Sequence, residues 1–528
     1  MKTKMRFLKK TIALAVAGCG LLSACTKTNV EPIQVLSENS QMSSNAVNSV
    51  SSISYYVATT GSDSNSGTIS SPFKTIQKGL DVAGPGSDIY VRGGVYNERL
   101  NWTNSGTTNN DVVLRNYGSE VVYLDGSTAS AQDAMIIVND KSNLTIKGIN
   151  IRNNIRAYAK GIYVYGSGAN VSIQDCKLYN IGWSTDKTIV PSGANQANPL
   201  VVVGTGATAY SNIYIAGTEI YDCVTGYSEC LTLNGNINGF LIDNNNVHDN
   251  TNIGIDVAGH YSYTGAPAAV NQARNGTVSN NTVSNCVSLV AISAGIYADG
   301  AFNIDIVRNK LTGNGCGISL GCENANNTSS EIEVKDNFIY NNRTAGIIIG
   351  ANAFGSKVTD AVVTNNTFFK NYAVGGYGGE IHFQNVDGLT FKNNIVQSAS
   401  NVAVIALSGY TSTNLNMDYN MYYTLSGSSG SITFDWGGIN GGGYYSLTNF
   451  IAGTGKDTHS NYYNPLFVSS TLPNPDLHLT STSPAINSGD PSFATGIGEK
   501  DIDNGTRLLN GRVEKGADEV SSANPPTI

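Results

Sequence analysis

The sequence predicts an all-β chain wound as a right-handed parallel β-helix, a solenoid with an N-terminal capping helix and a short β-rich C-terminal region. Three observations predict it. A short unit recurs: apolar, any, apolar, two polar, Asn, any, apolar, two polar, and usually Asn again. It appears as FLIDNNNVHDN at 240–250, IDIVRNKLTGN at 304–314, IEVKDNFIYNN at 332–342 and AVVTNNTFFKN at 361–371. Its first Asn falls at Asn245, Asn281, Asn309, Asn337, Asn366, Asn394 and Asn420, with spacings of 36, 28, 28, 29, 28 and 26 residues. A fixed period in this range marks a stacked solenoid. The apolar runs inside the unit are too short for helices and are rich in Val, Ile, Phe and Thr, as strands are. A second short strand precedes most units, as in GIDVAG from Gly254, GIYADG from Gly295, GISLGC from Gly317 and GIIIG from Gly346. Each turn then holds two or three strands, and Asn side chains aligned at the corners can hydrogen-bond from coil to coil.

Taken in order, the chain begins with an export signal. MKTKMRFLKK supplies a basic start, TIALAVAGCGLL an apolar core too short to span a membrane, and LSAC at 22–25 its end. This small-residue site ending in Cys resembles a bacterial lipobox. The resemblance implies that residues 1–24 are removed and that Cys25 carries the lipid. It also implies an exported protein held to a bacterial membrane, at the outer membrane or the cell surface. Residues 25–53 form a polar tether without periodicity. Removing the signal takes away Lys2, Lys4, Arg6, Lys9 and Lys10 and no acid, so the net charge falls from −8 to −13. That balance speaks against nucleic acid and gives no attraction to polyanions. The mature chain is expected to be a monomer. Beyond Cys25 it has six cysteines with no metal-site spacing. Cys176 stands in the Asn column, and Cys223 and Cys286 stand in the second corner column with Asn250. Stacked core thiols are expected, with a disulfide left open in an exported protein.

The β-helix is expected over 54–425. At its head, SSPFKTIQKGLDVAG reads as a helix that covers the open end of the solenoid. Ser71 is expected to cap it and Pro72 to take its first position, with Phe73, Ile76 and Leu80 on one face. This opening resembles that of many bacterial secreted β-helix proteins, including family 9 pectate lyases, in architecture and in no catalytic residue. The next coils have weaker corners, at Ile149, Cys176 and Thr218, spaced 27 and 42 residues. The two long spacings, before Thr218 and before Asn281, mark loops at 182–199 and 260–275, where a solenoid keeps its function. The first carries Trp183 and Lys187. The second, HYSYTGAPAAVNQARN, carries His260, Tyr261, Tyr263, Gln272 and Arg274. Residues 426–528 break the period. PLFVSSTLPNPDLHLTSTSPAINSGDP, DIDNGTR and GADE there resemble the C-terminal region of secreted β-helix proteins called choice-of-anchor Q, which hints at surface display. A calcium loop at Asp501 and Asp503 lacks its third ligand, because Gly505 stands in that place.

Chemistry must come from outward positions of the strand before each Asn unit. Aligning Ile255, Ile296 and Ile318 as inward residues turns Asp256 outward and places Asp299 one coil up and two residues on; Glu323 continues the diagonal. Coil and residue spacings put the Cα atoms of Asp256 and Asp299 about 8 Å apart. Carboxyls roughly 6.5–9.5 Å apart suit inverting glycoside hydrolysis, and acids that converge suit Ca²⁺.

The pectate-lyase-like resemblance implies a polysaccharide lyase that removes a proton from an acidic glycan. Such enzymes use Ca²⁺ held by acids, here Asp256, Asp299 and Glu323, and a Lys or Arg base, here Arg274. The chain departs from the family in lacking an adjacent Asp pair and a recognisable family 9 metal motif. The alternative is a glycoside hydrolase with Asp256 as base and Asp299 as acid; NIGID at 252–256 loosely resembles a motif of β-helical polygalacturonases. A third reading is a glycan-binding or adhesive surface protein without turnover. In each the partner is a polysaccharide. Glu323, His260, Tyr261, Tyr263, Gln272 and Trp183 are expected to contact it, in a groove walled by the two long loops.

Overall fold

A computed structural model describes residues 53–520 apart from positions 129, 352, 375–378, 401, 409–411, 425–433, 437–442 and 497. The export signal, Cys25 and residues 26–52 of the tether lie outside the described residues. Each turn contributes a strand to three 13-stranded sheets, wound as a right-handed parallel β-helix. Sheet 1 runs from Ile53–Val57 to Thr413–Asp418, sheet 2 from Gly94–Tyr96 to Asn461–Tyr462, and sheet 3 from Leu100–Asn101 to Gly443–Tyr444. Sheet 3 closes on an antiparallel pair, Phe434–Asp435 with Gly443–Tyr444.

The Asn unit spans the corner between sheets 1 and 2. The backbone N–H of Asn281 donates to Asn309 Oδ1 at 2.9 Å, and its Nδ2 donates to the same oxygen at 3.0 Å. The same double contact recurs from Asn245 to Asn281 and onward through Asn309, Asn337, Asn366 and Asn394 to Asn420. The residue ahead of each ladder Asn is left-handed, as at Asn244 (φ 52), Asp336 (φ 59) and Asn365 (φ 58), which explains the Asn and Asp there. A second ladder at the next corner runs through Asn314, Asn342 and Asn371. Between the corners one column of inward residues runs through the sheet 2 strands. Val247, Val283, Leu311, Ile339, Phe368, Val396 and Tyr422 stand in register, and all are 0% exposed. Where a Gly stands just ahead of the inward Ile of a sheet 3 strand, it makes room for this column. A Cβ on Gly254 would stand 2.5 Å from Val283, and one on Gly317 would stand 2.4 Å from Ile339.

Both ladders end on buried carboxyls. Asn420 Nδ2 donates to Asp457 at 2.8 Å, and Asn371 donates through its backbone and Nδ2 to Glu380 Oε1 at 3.0 and 2.6 Å. Burial pushes Glu380 up to about 8, against the lowering effect of Asn371. A carboxyl raised from an unfolded value near 4.5 contributes stability that is complete below about pH 4.5 and lost as pH rises through about 8. Glu380→Gln keeps the acceptor for Asn371 and removes the titration. Its melting temperature should match the wild type at pH 4.5 and exceed it at pH 8.5. Equal melting at both values would show that Glu380 does not titrate in this range.

The N-terminal cap corrects one expectation. The helix is Ile76–Val82, and Thr75 caps it by accepting from the Lys78 N–H at 3.2 Å. Ser71 instead bridges Thr68, and the Phe73 N–H donates to Tyr56 O, so the segment ahead of the helix pairs with the first strand. Glu98 accepts from the first-turn N–H groups of Ile76 and Gln77. Phe73, Ile76 and Leu80 are buried together as expected. Past residue 425, helix Leu447–Thr454 closes the other end, with Phe450 stacked on Phe434 at 4.2 Å. The rest of the C-terminal region holds one hairpin, Phe467–Ser469 with Asp476–Leu479, and lies along sheet 2. Fully buried Arg507 anchors it, 3.4 Å from Asp336 and donating to the carbonyls of Glu514, Gly516 and Ala517. The six cysteines are buried free thiols.

Candidate active site

Strands Ile255–Ala258, Ala294–Asp299 and Cys316–Gly321 of sheet 3 pair with Ile255, Ile296 and Ile318 in register. Alternation sends those isoleucines inward and sends Asp256, Tyr297 and Asp299 outward. Asp256 stands opposite Tyr297, and Asp299 stands two residues further along on that same next coil. Asp299 is in turn opposite Gly321, with Glu323 two residues beyond. These three acids form one diagonal across the sheet. Gly321 leaves the space that the Tyr297 hydroxyl takes, since a Cβ there would stand 2.8 Å from it.

A fourth acid, absent from the sequence reading, lies at the foot of the diagonal. Glu229 precedes strand Leu231–Gly235 by two residues and accepts from Thr232 Oγ1 at 3.2 Å; Thr232 stands opposite Asp256. Alternation does not reveal it: Glu229 has the parity of inward Leu231 and lies ahead of the strand, where the register with Ile255 no longer applies.

The acids differ in their partners. Asp256 is 5% exposed, and its Oδ1 has no hydrogen-bond partner. Burial raises its carboxyl well above the usual range, and the charges of Glu229, Asp299 and Glu323 add to the rise. Asp299, 1% exposed, accepts from the Tyr261 hydroxyl at 2.5 Å and from the Glu323 N–H at 2.8 Å. Burial, followed by the Glu323 charge, pushes it up to about 7 against those two donors. Glu229 is likewise raised by burial to about 7. The cluster therefore holds protons near neutral pH. Over it lies a cleft of about 600 Å³, lined among others by Tyr227, Glu229, Tyr297, Glu323, Ile292 and His382. Burial lowers His382 to about 4. Glu229 and Glu323 line the cleft, whereas Asp256 and Asp299 are not among its lining residues. No Lys or Arg is among the described residues that line the cleft.

The long loop at 260–275 delivers part of what was expected of it. Tyr261 reaches across the diagonal, its hydroxyl also lying 3.2 Å from Glu323 Oε2. Its backbone carbonyl accepts from Thr264 and Asn271, which fixes the turn. Tyr263, 74% exposed, packs its ring 5.4 Å from that of Tyr261 and is hydrogen-bonded to Asn234 at 2.7 Å. His260 and Gln272 hold the base of the loop instead: Gln272 Nε2 donates to Gly300 O, and His260 Nε2 lies 3.3 Å from Thr328 O. Arg274 is on sheet 1, where its guanidinium donates to Asn236 Oδ1, Val270 O and Gln272 O, not to the acids. Trp183 donates its backbone N–H to Val224 O and stands beside Gly226, while Lys187 binds Asp222 and the Asp249 carbonyl. The cleft wall on that side is formed by Val290, Ala291 and Ile292.

As metal ligands, the oxygens of Asp256, Asp299 and Glu323 suit a hard cation in kind, and the unpartnered Asp256 Oδ1 is a fitting donor. Among the described residues they are not a convergent set. The group whose ligand atoms lie within 4.8 Å of one another is His478, Asp503 and Asp518.

Comparison with known proteins gives three kinds of likeness. A family profile described as Pel9A-like, right handed beta helix region, matches residues 55–394. The protein YwoF of Bacillus subtilis (strain 168) is 30% identical over 430 residues, covering 78% of this chain and 88% of its own. A pectate lyase of Emericella nidulans, PEL9, is 41% identical over 98 residues, 17% of this chain and 24% of its own. Among solved structures, pectate lyase Pel9A aligns over 88% of this chain and 96% of its own at 15% identity, with a TM-score of 0.43.

Proposed function

We propose, for a chain that belongs to the Pel9A-like right-handed β-helix family, that it cleaves a glycan and that the acid diagonal on sheet 3 is the cutting centre. One observation carries the reading: four carboxyls share one face, and three of them are pushed toward the protonated form. A carboxyl that keeps its proton near pH 7 beside one that can lose it is an acid–base pair. Hydrolysis of a glycosidic bond in an uncharged glycan fits best, because a cleft lined by acids without Lys or Arg repels a uronate.

The hydrogen bonds favour an assignment opposite to the one read from sequence. Asp256 has no donor to stabilise its ionised form, so it keeps the proton and acts as general acid. Asp299 has two donors, Tyr261 and the Glu323 N–H, so it ionises first and acts as general base on water. The Tyr261 hydroxyl, bridging Asp299 and Glu323, stands where a sugar hydroxyl would bind, and the substrate reaches the acids by displacing it.

Family membership and the unpartnered Asp256 Oδ1 favour a second reading, β-elimination on an acidic glycan. Ca²⁺ held by Asp256, Asp299 and Glu323 would neutralise the uronate carboxylate. That reading also needs a base, and the guanidinium of Arg274 is turned to Asn236 and two backbone carbonyls. Digestion of neutral and acidic polysaccharides in ¹⁸O-water separates the two. Hydrolysis gives new reducing ends carrying solvent oxygen, no ultraviolet-absorbing product and no sensitivity to EDTA. Unsaturated products lost on chelation would establish elimination instead, and no product from any glycan would leave a binding protein.

A further inference from the structure

We propose that His478, Asp503 and Asp518 form a site for one divalent first-row transition cation of the zinc class, which ties the C-terminal region into a single clamp on sheet 2. The site is remote from the acid diagonal and does not depend on its chemistry. His478 lies in the hairpin strand Asp476–Leu479, with its ring edge-on to Phe338 of sheet 2 at 5.2 Å. Asp503 and Asp518 come from two later segments, and the ligand atoms of all three lie within 4.8 Å of one another.

The histidine shows what the cluster lacks. Its Nδ1 is 2.5 Å from Asp476 Oδ1, so that nitrogen carries a proton held by a carboxylate. This is the outer-shell contact that orients a metal-binding imidazole and leaves Nε2 to bind the ion. Nε2 is buried and lies 2.9 Å from Asp503 Oδ2, but the contact is not aligned as a hydrogen bond and Nε2 has no other partner. A divalent cation held between Nε2 and those carboxylate oxygens would give each of them a partner.

Asp476, Asp503 and Asp518 bring three negative charges against one imidazolium, and Asp501 acts on Asp518 as a further negative charge. Lys310, over the Phe338 ring at 5.9 Å, acts on Asp476 as an opposing charge. One Asp518 oxygen accepts from the Leu479 N–H at 2.7 Å, which fixes that carboxylate beside the ring. One imidazole with two carboxylates selects zinc-like ions over calcium and magnesium, and the half-exposed Asp503 side chain leaves a path for entry.

The test is titration of the chelator-treated full chain with zinc chloride, followed by calorimetry and by thermal melting. The wild type should bind one ion per chain and melt at a higher temperature with zinc. Asp503→Asn, at an exposed position, should fold normally and bind at least about tenfold more weakly, and His478→Gln should do the same. Asp256→Asn should bind like the wild type. The proposal is overturned if no saturable site appears, if Asp503→Asn binds as the wild type does, or if Asp256→Asn is the variant that loses the ion.

Discussion

Asp299→Asn is expected to reduce glycan turnover by at least about 10²-fold while the protein melts at or above the wild-type temperature. The two halves of this result are linked. Asn keeps its Oδ1 for the Glu323 N–H, and its Nδ2 can donate to the Tyr261 hydroxyl, which then turns its own proton to Glu323 Oε2, so the site stays hydrogen-bonded. It also removes one charge from a buried cluster in which Glu229, Asp256, Asp299 and Glu323 repel one another. A residue with only a structural role would show the opposite pattern, with lost stability and activity falling in proportion. Activity assayed alongside melting therefore distinguishes the two roles. Near-wild-type turnover in a folded Asp299→Asn protein would remove Asp299 from the chemistry.

Ile339→Asp is expected to prevent folding. Ile339 lies in the inward column of sheet 2, between Leu311 and Phe368 in register, and is 0% exposed. Truncating such a side chain costs about 2–5 kcal/mol, and an unpaired carboxylate in its place adds a further penalty of several kcal/mol. Domains are commonly stable by only about 5–15 kcal/mol, so the sum consumes the margin. Val283→Asp, two coils away on the same column, should behave alike. Circular dichroism and melting of either variant check this, and a wild-type transition would mean that the column does not face the core.

Most of the fold was legible because the corner Asn has two jobs that few side chains can do. It accepts from two N–H groups of the coil below while donating to a carbonyl, and that requirement writes a period into the sequence. Where the ladder is replaced by Ile149, Cys176 and Thr218, the period fades. Glu229 was missed because it lies ahead of its strand, where the register no longer applies. The diagonal of Asp256, Asp299 and Glu323 was legible because strand register follows from the inward isoleucines alone. The roles within it were not. They depend on the Tyr261 hydroxyl, which arrives from a loop whose path no periodicity describes. Arg274 and Trp183 were read from the same two loops. The neighbours that fix them, Asn236 for one and Val224 for the other, belong to other coils. The cap of the first helix moved from Ser71 to Thr75 because Phe73 pairs with Val57, a contact that helix signals do not encode.

The acid diagonal as the cutting centre is tested most directly by a crystal structure of Asp299→Asn with a neutral oligosaccharide that the wild type cleaves. The sugar should lie in the cleft over sheet 3, with its scissile linkage between the carboxyls of Asp256 and position 299 and a sugar hydroxyl in the place of the Tyr261 hydroxyl. Density for the oligosaccharide on sheet 1 or sheet 2, with the cleft over sheet 3 empty, would contradict the account.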